Sequence, residues 1–315
     1  MGYTRKAQVY TAKIQETEIG AGEKALKLGG EHTQPLCSFD EAWENAPAVG
    51  LEVTDTGLEL DKGFPQLAAF YEGTASFAER VAKAASLPGV KFVVMHFDGA
   101  DPGGENKSVE ECVALAQEAA AATDMPLVVT GCKNVEKDSA LFSAVANALP
   151  DRNLLYLSAR EEDYKTVGAA CSLAFGHKIG AESAVDINLA KQLNVLITQL
   201  GVSANNIVMN LGSAAAGYGF EYVASTMDRV KSAALEQNDN MLQMPVMTPV
   251  SGETWTVKES IMSEGDMPEW GSREERGIEM EIVTASACLA SGSNAVIVRH
   301  PETVRVLSEL IAALA

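Results

Sequence analysis

The sequence predicts an α/β protein, a (β/α)8 TIM barrel with an N-terminal β-hairpin extension, on three observations. Short apolar runs alternate with helical patterns eight times along the 315 residues. The runs are apolar throughout, as strands of a parallel sheet buried on both faces are. No domain break or low-complexity linker interrupts them, and eight such units argue for a closed barrel over an open sheet. Residues 1–30 are assigned to the hairpin extension and 31–315 to the barrel.

Residues 1–30 alternate polar and apolar about Gly20-Ala-Gly22, with Val9, Thr11 and Ile14 before the turn and Ala25, Leu26 and Leu28 after it. This is hairpin patterning, expected to pack on the main body and close one end of the barrel. Gly29-Gly30 ends it, and a loop with His32, Pro35 and Cys37 leads inward. The strand-like runs are Val49–Val53, Phe92–His96, Leu127–Thr130, Leu154–Leu157, Val185–Ile187, Ile207–Met209, Gln243–Met247 and Ala295–Val298. The helical patterns are Ser76–Ser86, Val109–Ala122, Glu136–Leu149, Tyr164–Phe175, Leu189–Leu200, Tyr222–Gln237, Glu274–Ser291 and Glu302–Ala313. Their apolar residues recur at three- and four-residue spacing, as in Val109, Cys112, Val113 and Ala116. Residues 248–272, with Pro249, Trp255, Pro268 and Trp270, form the longest irregular insert and are expected to fold over the top of the barrel.

Composition narrows the function. A hydrophobic content of 47% suffices for a sizeable core. A net charge of -19 argues against a nucleic-acid partner and against docking on anionic membranes, since both need a basic patch. There is no N-terminal apolar region of signal-peptide type and no apolar run long enough to span a bilayer. The expectation is a cytoplasmic protein. The five cysteines, Cys37, Cys112, Cys132, Cys171 and Cys288, are scattered and never spaced C-x-x-C. Disulfides and a four-cysteine cluster within this chain are therefore not expected.

The stretch from Asn206 to Gly219 reads as strand, glycine-rich loop and helix start. Glycines there let backbone N–H groups approach a ligand, and a helix N-terminus favours negative charge. The plainer alternative is a βα loop that uses glycine for its turns. In a barrel, residues that follow the strands share one face. That face would carry Thr54, Asp55, His96, Asp98, Gly99, Ala100, Asp101, Pro102, Thr130, Gly131, Cys132, Ser158, Asp186, Asn188, Asn210, Thr248, Ser251, Arg299 and His300. The set is rich in Asp, Asn, Thr and Gly but pairs no nucleophile with a base and shows no metal-ligand spacing. No catalytic residue and no metal site is assigned. Asp98 and Asp101 are hydrogen-bond acceptors or turn formers, and His96 ends an apolar strand as core histidines do. Asn188 and Asn210 either meet a ligand or cap helices, and Arg299 either meets a ligand or pairs with a carboxylate inside the barrel. Lys133 and Lys178 stand alone. His177-Lys178-Ile179-Gly180 looks like the end of a D-x-H-x-x-G cobalamin motif, but residue 175 is Phe, so the motif is absent.

Taken in order, several segments carry a resemblance. They are Leu28-Gly-Gly-Glu31, Phe97-Asp-Gly-Ala-Asp-Pro102, Val129-Thr-Gly-Cys132 with Val135-Glu-Lys-Asp138, Asp186-Ile-Asn188 with Lys191-Gln-Leu-Asn194, Gly217-Tyr-Gly-Phe-Glu-Tyr222, Glu275-Arg-Gly277 and Arg299-His-Pro301. The chain resembles, over nearly its whole length, the small (delta) subunits of the corrinoid iron–sulfur protein, also known from the acetyl-CoA decarbonylase/synthase complex. One departure is Asn210-Leu211, where those subunits commonly carry Asp-Pro. The resemblance implies a TIM-barrel subunit in a heterodimer with a large (gamma) subunit that holds the iron–sulfur cluster and a corrinoid domain. It implies a corrinoid (cobalamin) shared between the two and no iron–sulfur cluster in this chain. Cobalt(I) there takes a methyl group from methyl-tetrahydropterin and passes it to acetyl-CoA synthase, in transient contact with a methyltransferase and the synthase. On that reading Asp98, Thr130, Asn188, Asn210, Gly212, Gly217, Tyr218 and Gly219 form the cofactor-binding cap. Amide-tipped corrin arms suit such a rim, and Tyr218 can pack on the macrocycle or the partner. Two alternatives stand beside it: a pterin-dependent corrinoid methyltransferase in its own right, using Asp98, Asp186, Asn188 and Asn210, and a scaffold that only docks a partner.

Overall fold

The computed structural model describes residues 10–33, 43–57 and 63–314; Val9, Pro35 and Cys37 lie outside the described residues. Strands β1 (Thr17–Ile19) and β2 (Leu26–Leu28) form the antiparallel hairpin, Thr17 opposite Leu28 and Ile19 opposite Leu26. Eight parallel strands follow: β3 (Ala48–Thr54), β4 (Phe92–His96), β5 (Leu127–Thr130), β6 (Leu155–Ala159), β7 (Lys178–Glu182), β8 (Ile207–Asn210), β9 (Met247–Pro249) and β10 (Ala295–Val298). They run in the order β8-β7-β6-β5-β4-β3-β10-β9. The remaining seam is drawn together by a parallel bridge between Met209 and Val246 and by Met209 N–H donating to Pro245 O at 2.8 Å. The result is a nearly closed TIM barrel.

The helices are α1 (Pro65–Phe70), α2 (Phe77–Ala85), α3 (Val109–Ala121), α4 (Val135–Ala148), α5 (Tyr164–Val167), α6 (Ile187–Gln199), α7 (Phe220–Leu235), α8 (Ser251–Thr254), α9 (Lys258–Ile261), α10 (Arg273–Ser291) and α11 (Pro301–Leu314). Ser76 with Glu79 and Ser108 with Glu111 form capping boxes at the starts of α2 and α3, satisfying N–H groups that a helix leaves unpaired. After α5 the chain stays helical to Phe175 through a wider π-type stretch, Gly168–Leu173.

Side chains alternate across each strand, so the barrel has an inside and an outside. Phe92, Val94, Val128, Leu155, Leu157, Val208, Met247, Ala295 and Ile297 fill the inside, together with Ile19 and Leu28 of the hairpin. The hairpin thus plugs the N-terminal end. Gly50 lies beside that filling because a Cβ there would fall 2.1 Å from the Phe92 ring. Val49, Leu51, Val53, Val93, Met95, Val129, Met209, Val296 and Val298 face outward against the helices. At the hairpin end a buried Lys231 ammonium meets Glu31 Oε1 at 2.7 Å and Asn294 Oδ1 at 3.0 Å, tying the Leu28–Glu31 segment to α7 and to the residue before β10.

The fifth barrel strand corrects the sequence reading. It is Lys178–Glu182, not Val185–Ile187. Val185 lies in the loop, and Ile187 opens α6 behind Asp186, whose side chain accepts from Asn188 N at 2.7 Å and Leu189 N at 3.2 Å. The true strand was hidden because Gly180 takes an inward position where Leu157 already fills the space, a Cβ there falling 2.3 Å from Leu157 Cδ1. The seventh strand lies later than Gln243–Met247, at Met247–Pro249, so Thr248 is inside it, buried and bonded to Ser293 at 2.8 Å. Helix α1 was not anticipated. The 248–272 insert holds α8, α9 and the turn Pro268–Trp270. Its Trp255 packs with Phe64, Leu67, Tyr71 and Ile278.

Candidate functional site at the barrel mouth

The inside positions of the strands turn from apolar to polar near their C-terminal ends. Above Gly50, Val94, Val128 and Ile297 stand Glu52, His96, Thr130 and Arg299, and β7 and β8 end in Glu182 and Asn210. A cavity of about 130 Å³ opens among Glu52, His96, Thr130, Ser158, Glu182, Asn210 and Ser213. A second cavity of about 490 Å³ adjoins it, sharing His96, Lys133 and Gly252. Phe64, Leu67, Trp255 and Ile261 give that second space an apolar wall, and Asp98, Lys133, Arg273 and Arg299 a charged one.

Glu52 is the electrostatic centre of the mouth. His96 Nδ1 bonds to its Oε1, and Arg299 Nη2 lies 3.5 Å from its Oε2. Burial pushes the Glu52 carboxyl up, but Arg299 and then His96 outweigh it and hold the group well below the carboxylate range. Burial lowers His96, and Glu52 and then Asp98 more than reverse this, leaving it above its ordinary 6.5. Its Nε2 lies 4.0 Å from Asp98 Oδ1.

A second group of charges faces it. Arg160 lies 3.4 Å from Glu182 and 3.7 Å from Asp138. Asp138 accepts from Cys132 N–H at 2.8 Å, and its carboxyl is pushed up by burial. Asn210 donates to Ser158 Oγ at 2.8 Å and accepts from Gly212 N–H at 3.0 Å. Two buried polar atoms at the mouth, Thr130 Oγ1 and Ser213 Oγ, have no hydrogen-bond partner, and neither has Nε of Arg299, which lines the second cavity. Among the described residues no group of three or more His, Cys, Asp or Glu is arranged to hold a metal ion, and no helix is long and apolar enough to cross a membrane.

The structure brings Thr130, Asn210 and Gly212 together at the mouth. Asp98 faces the adjoining cavity from an exposed turn, which Asp55 fixes by accepting from Gly99 N–H at 2.8 Å. Gly217 and Gly219 hold positive φ angles of 84° and 90° on the outer rim. Between them Tyr218, 45% exposed, donates to Glu259 Oε2 at 2.6 Å and so links the glycine loop to α9. Asn188 is exposed in the first turn of α6 and lines neither cavity. Sequence reasoning passed over Glu52, Asp138, Arg160, Glu182 and Ser213. A signal existed for the first: Glu52 is the lone charge in the apolar run Val49–Val53, at an inside position by period two. Arg299 takes the carboxylate pairing and His96 is no inert core residue.

Beneath the mouth, α10 supplies two buried glutamates. Glu281 accepts from Trp255 Nε1 at 2.8 Å, Arg299 N–H at 2.7 Å and His300 N–H at 3.1 Å. Glu274 accepts from Gln66 N–H at 3.0 Å and Leu67 N–H at 2.8 Å. These bonds fix the backbone at Arg299 and seat Trp255 and α1 against the second cavity.

Comparison with known proteins places the chain among relatives. The profile of the CO dehydrogenase/acetyl-CoA synthase delta subunit family matches residues 16–310. The chain is 31% identical over 313 residues to the acetyl-CoA decarbonylase/synthase complex subunit delta of Methanocaldococcus jannaschii, covering 98% of this chain and 73% of that protein. It is 28% identical over 314 residues to the corresponding subunit of Archaeoglobus fulgidus, covering 96% of this chain and 68% of the relative. Among solved structures, a Yersinia pestis dihydropteroate synthase with a pterine-sulfa conjugate aligns with a TM-score of 0.55 at 11% identity, over 94% of this chain and 98% of the other. A Xanthomonas albilineans dihydropteroate synthase with 4-aminobenzoic acid gives 0.55 at 11%, over 95% and 98%. At that identity the likeness concerns the fold.

Proposed function

This chain belongs to the CO dehydrogenase/acetyl-CoA synthase delta subunit family, and from that premise we propose that it is the corrinoid-capping subunit of a heterodimeric methyl carrier. Its partner is a large subunit that holds the corrinoid domain and the iron–sulfur cluster. Together they accept a methyl group from methyl-tetrahydropterin and deliver it to acetyl-CoA synthase. The observation that supports this reading is the set of unpartnered polar atoms beside a loop of glycines, Thr130 Oγ1 and Ser213 Oγ at the mouth and Arg299 Nε by the adjoining cavity. Buried polar groups without partners are costly, and amide-tipped corrin arms satisfy both hydroxyls and a guanidinium.

The residues present fit such a group lying across the rim. Thr130, Ser213, Asn210 and the backbone of Gly212 would hold its arms, and Tyr218 would meet a flat apolar surface. When bound, the corrinoid supplies the cobalt that takes up and gives up the methyl group. The part of this chain is to keep water from one face of that group and to hold it in register. Pro249, Gly252 and Trp255, seated by Glu281, give the rim a rigid edge.

Co-expression with the large subunit tests the proposal. The expected product is a stable one-to-one complex with corrinoid bands in its visible spectrum. Tyr218→Ala and Gly219→Val are expected to speed cobalt(I) oxidation or to shed corrinoid. Unchanged corrinoid content and oxidation rate in both variants would refute the cap.

A second reading, a pterin-dependent corrinoid methyltransferase acting by itself, is favoured by the 490 Å³ cavity beside the mouth. Its size falls within the roughly 300–1,000 Å³ of small-molecule sites, and Asp98 there is an acceptor for a pterin edge. A fold neighbour was solved with a pterine-sulfa conjugate. Saturable binding of methyl-tetrahydrofolate to the isolated chain, lost in Asp98→Asn, would favour it over the cap.

A further inference from the structure

The N-terminal end of the barrel, opposite the mouth, carries a trough of about 860 Å³. The hairpin borders it with residues 24–27, the chain entering β3 with residues 44–49, and the chain entering β4 with residues 89–91. No residue of β1 lines it. Among the described strands β2 pairs with β1 alone, and the consecutive residues Ala25, Leu26 and Lys27 all line the trough. The trough therefore runs along the edge of β2 that β1 leaves open. Such an edge presents N–H and C=O groups to any chain laid beside it. Leu26, Pro47, Val90, Met125 and Ile311 give the trough apolar contact surface.

Its charges are unspent. Lys24, Lys27 and Lys91 line it and are exposed, and none of the three ammonium groups has an ion-pair or hydrogen-bond partner among the described residues. Lys107, Lys191 and Lys231 elsewhere all hold carboxylates. Glu44, the carboxylate on the trough wall, is taken by Lys13 at 2.9 Å. Glu18 stands opposite Lys27 in the ladder but off the trough. In a chain of net charge -19, three unpaired lysines around one apolar trough are complementary to carboxylates brought from outside. Lysines on an open strand edge also select: they discourage pairing with neutral or basic segments, and an acidic segment meets no such barrier. A second copy of this chain brings the same -19 and approaches against repulsion.

We infer that the trough receives an extended acidic segment of another protein, which adds a strand to the open edge of β2. Its apolar side chains lie on Leu26, Val90 and Ile311, and its carboxylates meet Lys24, Lys27 and Lys91. A partner seated there leaves the barrel mouth accessible, because the two lie at opposite ends of the strands. This docking is independent of the capping role.

The test uses the full chain and a short fluorescein-labelled peptide in which glutamate alternates with valine, read by fluorescence anisotropy. Saturable binding is expected. Peptides with lysine in place of glutamate, or serine in place of valine, should bind roughly tenfold more weakly or worse. Lys24→Glu, Lys27→Glu and Lys91→Glu, all at exposed positions, are each expected to weaken binding roughly three- to tenfold and to leave the melting temperature in place. Salt at about 1 M, where charges are screened beyond about 3 Å, should weaken it as well. Ala46→Trp, exposed on the trough wall, should block the peptide, and Lys165→Glu, exposed on α5 and off the trough, should not affect it. No saturable binding, equal binding of the lysine peptide, or binding that the three reversals and Ala46→Trp leave untouched overturns the inference. Sedimentation velocity covers the other occupant. A dimer of this chain that Lys27→Glu dissociates assigns the trough to a second copy and also overturns it.

Discussion

Replacing Glu52 by Gln isolates the charge balance of the barrel mouth. The substitution keeps shape and removes the one anion between Arg299 and His96. Taking one partner from a buried ion pair costs about 3–5 kcal/mol, because the other charge stays buried and uncompensated. Here the Arg299 and His96 side chains are 25% and 17% exposed, so water screens part of the loss and the lower figure, about 3 kcal/mol, applies. Each kcal/mol shifts the melting temperature by about 2–4 °C in chains of 150–250 residues. The lower end, suited to a longer chain, gives a drop of about 6 °C. The pH dependence is the sharper check. The Glu52 carboxyl is depressed below its ordinary 4.5, so its contribution is present above 4.5 and fades as pH falls toward the folded value. His96 is raised above its ordinary 6.5, so its contribution is complete below 6.5 and is lost as pH rises through the folded value. The gap between wild type and Glu52→Gln should therefore be widest between pH 4.5 and 6.5 and narrow on both sides. Thermal scans of both proteins from acid to mildly alkaline pH measure it. A gap under about 1 °C near pH 6, or one that is flat with pH, would refute the assignment of Glu52 as the shared counter-ion.

Three further predictions concern the frame around the mouth. Gly50→Ala places a methyl 2.1 Å from the Phe92 ring and should cost about 1–3 kcal/mol, with Phe92→Leu in the same chain recovering part of it; denaturant melts of the single and double variants decide. Lys231→Met leaves Glu31 buried without its cation and should lose about 3–5 kcal/mol, while adding Glu31→Gln should return most of it; a double-mutant cycle reads the coupling. The Cys132 thiol, pushed up to about 11 chiefly by burial, should react with iodoacetamide at pH 8 far more slowly than an ordinary thiol. Mass-spectrometric mapping with and without urea checks this, and equal rates in the two states would contradict it.

Much of the barrel was legible because strand and helix signals are local. Phe92–His96, Leu127–Thr130 and Ala295–Val298 match their observed strands, each an unbroken apolar run framed by polar turns. The strand Lys178–Glu182 escaped because its inward position is glycine, so burial there left no apolar mark. The run Val185–Ile187 drew the assignment instead. The glycine loop was visible for a comparable reason: positive φ at Gly212, Gly217 and Gly219 demands a residue type that shows in the sequence.

The candidate site divides differently. Thr130, Asn210 and Gly212 were legible as residues that follow strands. Asn188 was drawn in by the misplaced strand and stands apart from both cavities. Glu182 was lost with the same error. Asp138 follows its strand at a distance and reaches back from α4, a path that no local pattern records, and Arg160 comes directly after β6, which runs on to Ala159 rather than ending at Leu157.

The sequence by itself determined the fold class, the hairpin at its start, the loop that needs glycine and a net charge of -19. Those properties follow from composition and from periods of two or a few residues, which neighbouring positions suffice to express. Only the tertiary structure decided which polar residues meet. Glu52 and Arg299 stand 247 positions apart, and they pair because the ring sets the first barrel strand beside the last. Closure is a property of the whole sheet, so the pairing it creates, and the hydroxyls it leaves facing the mouth, are written in no single segment.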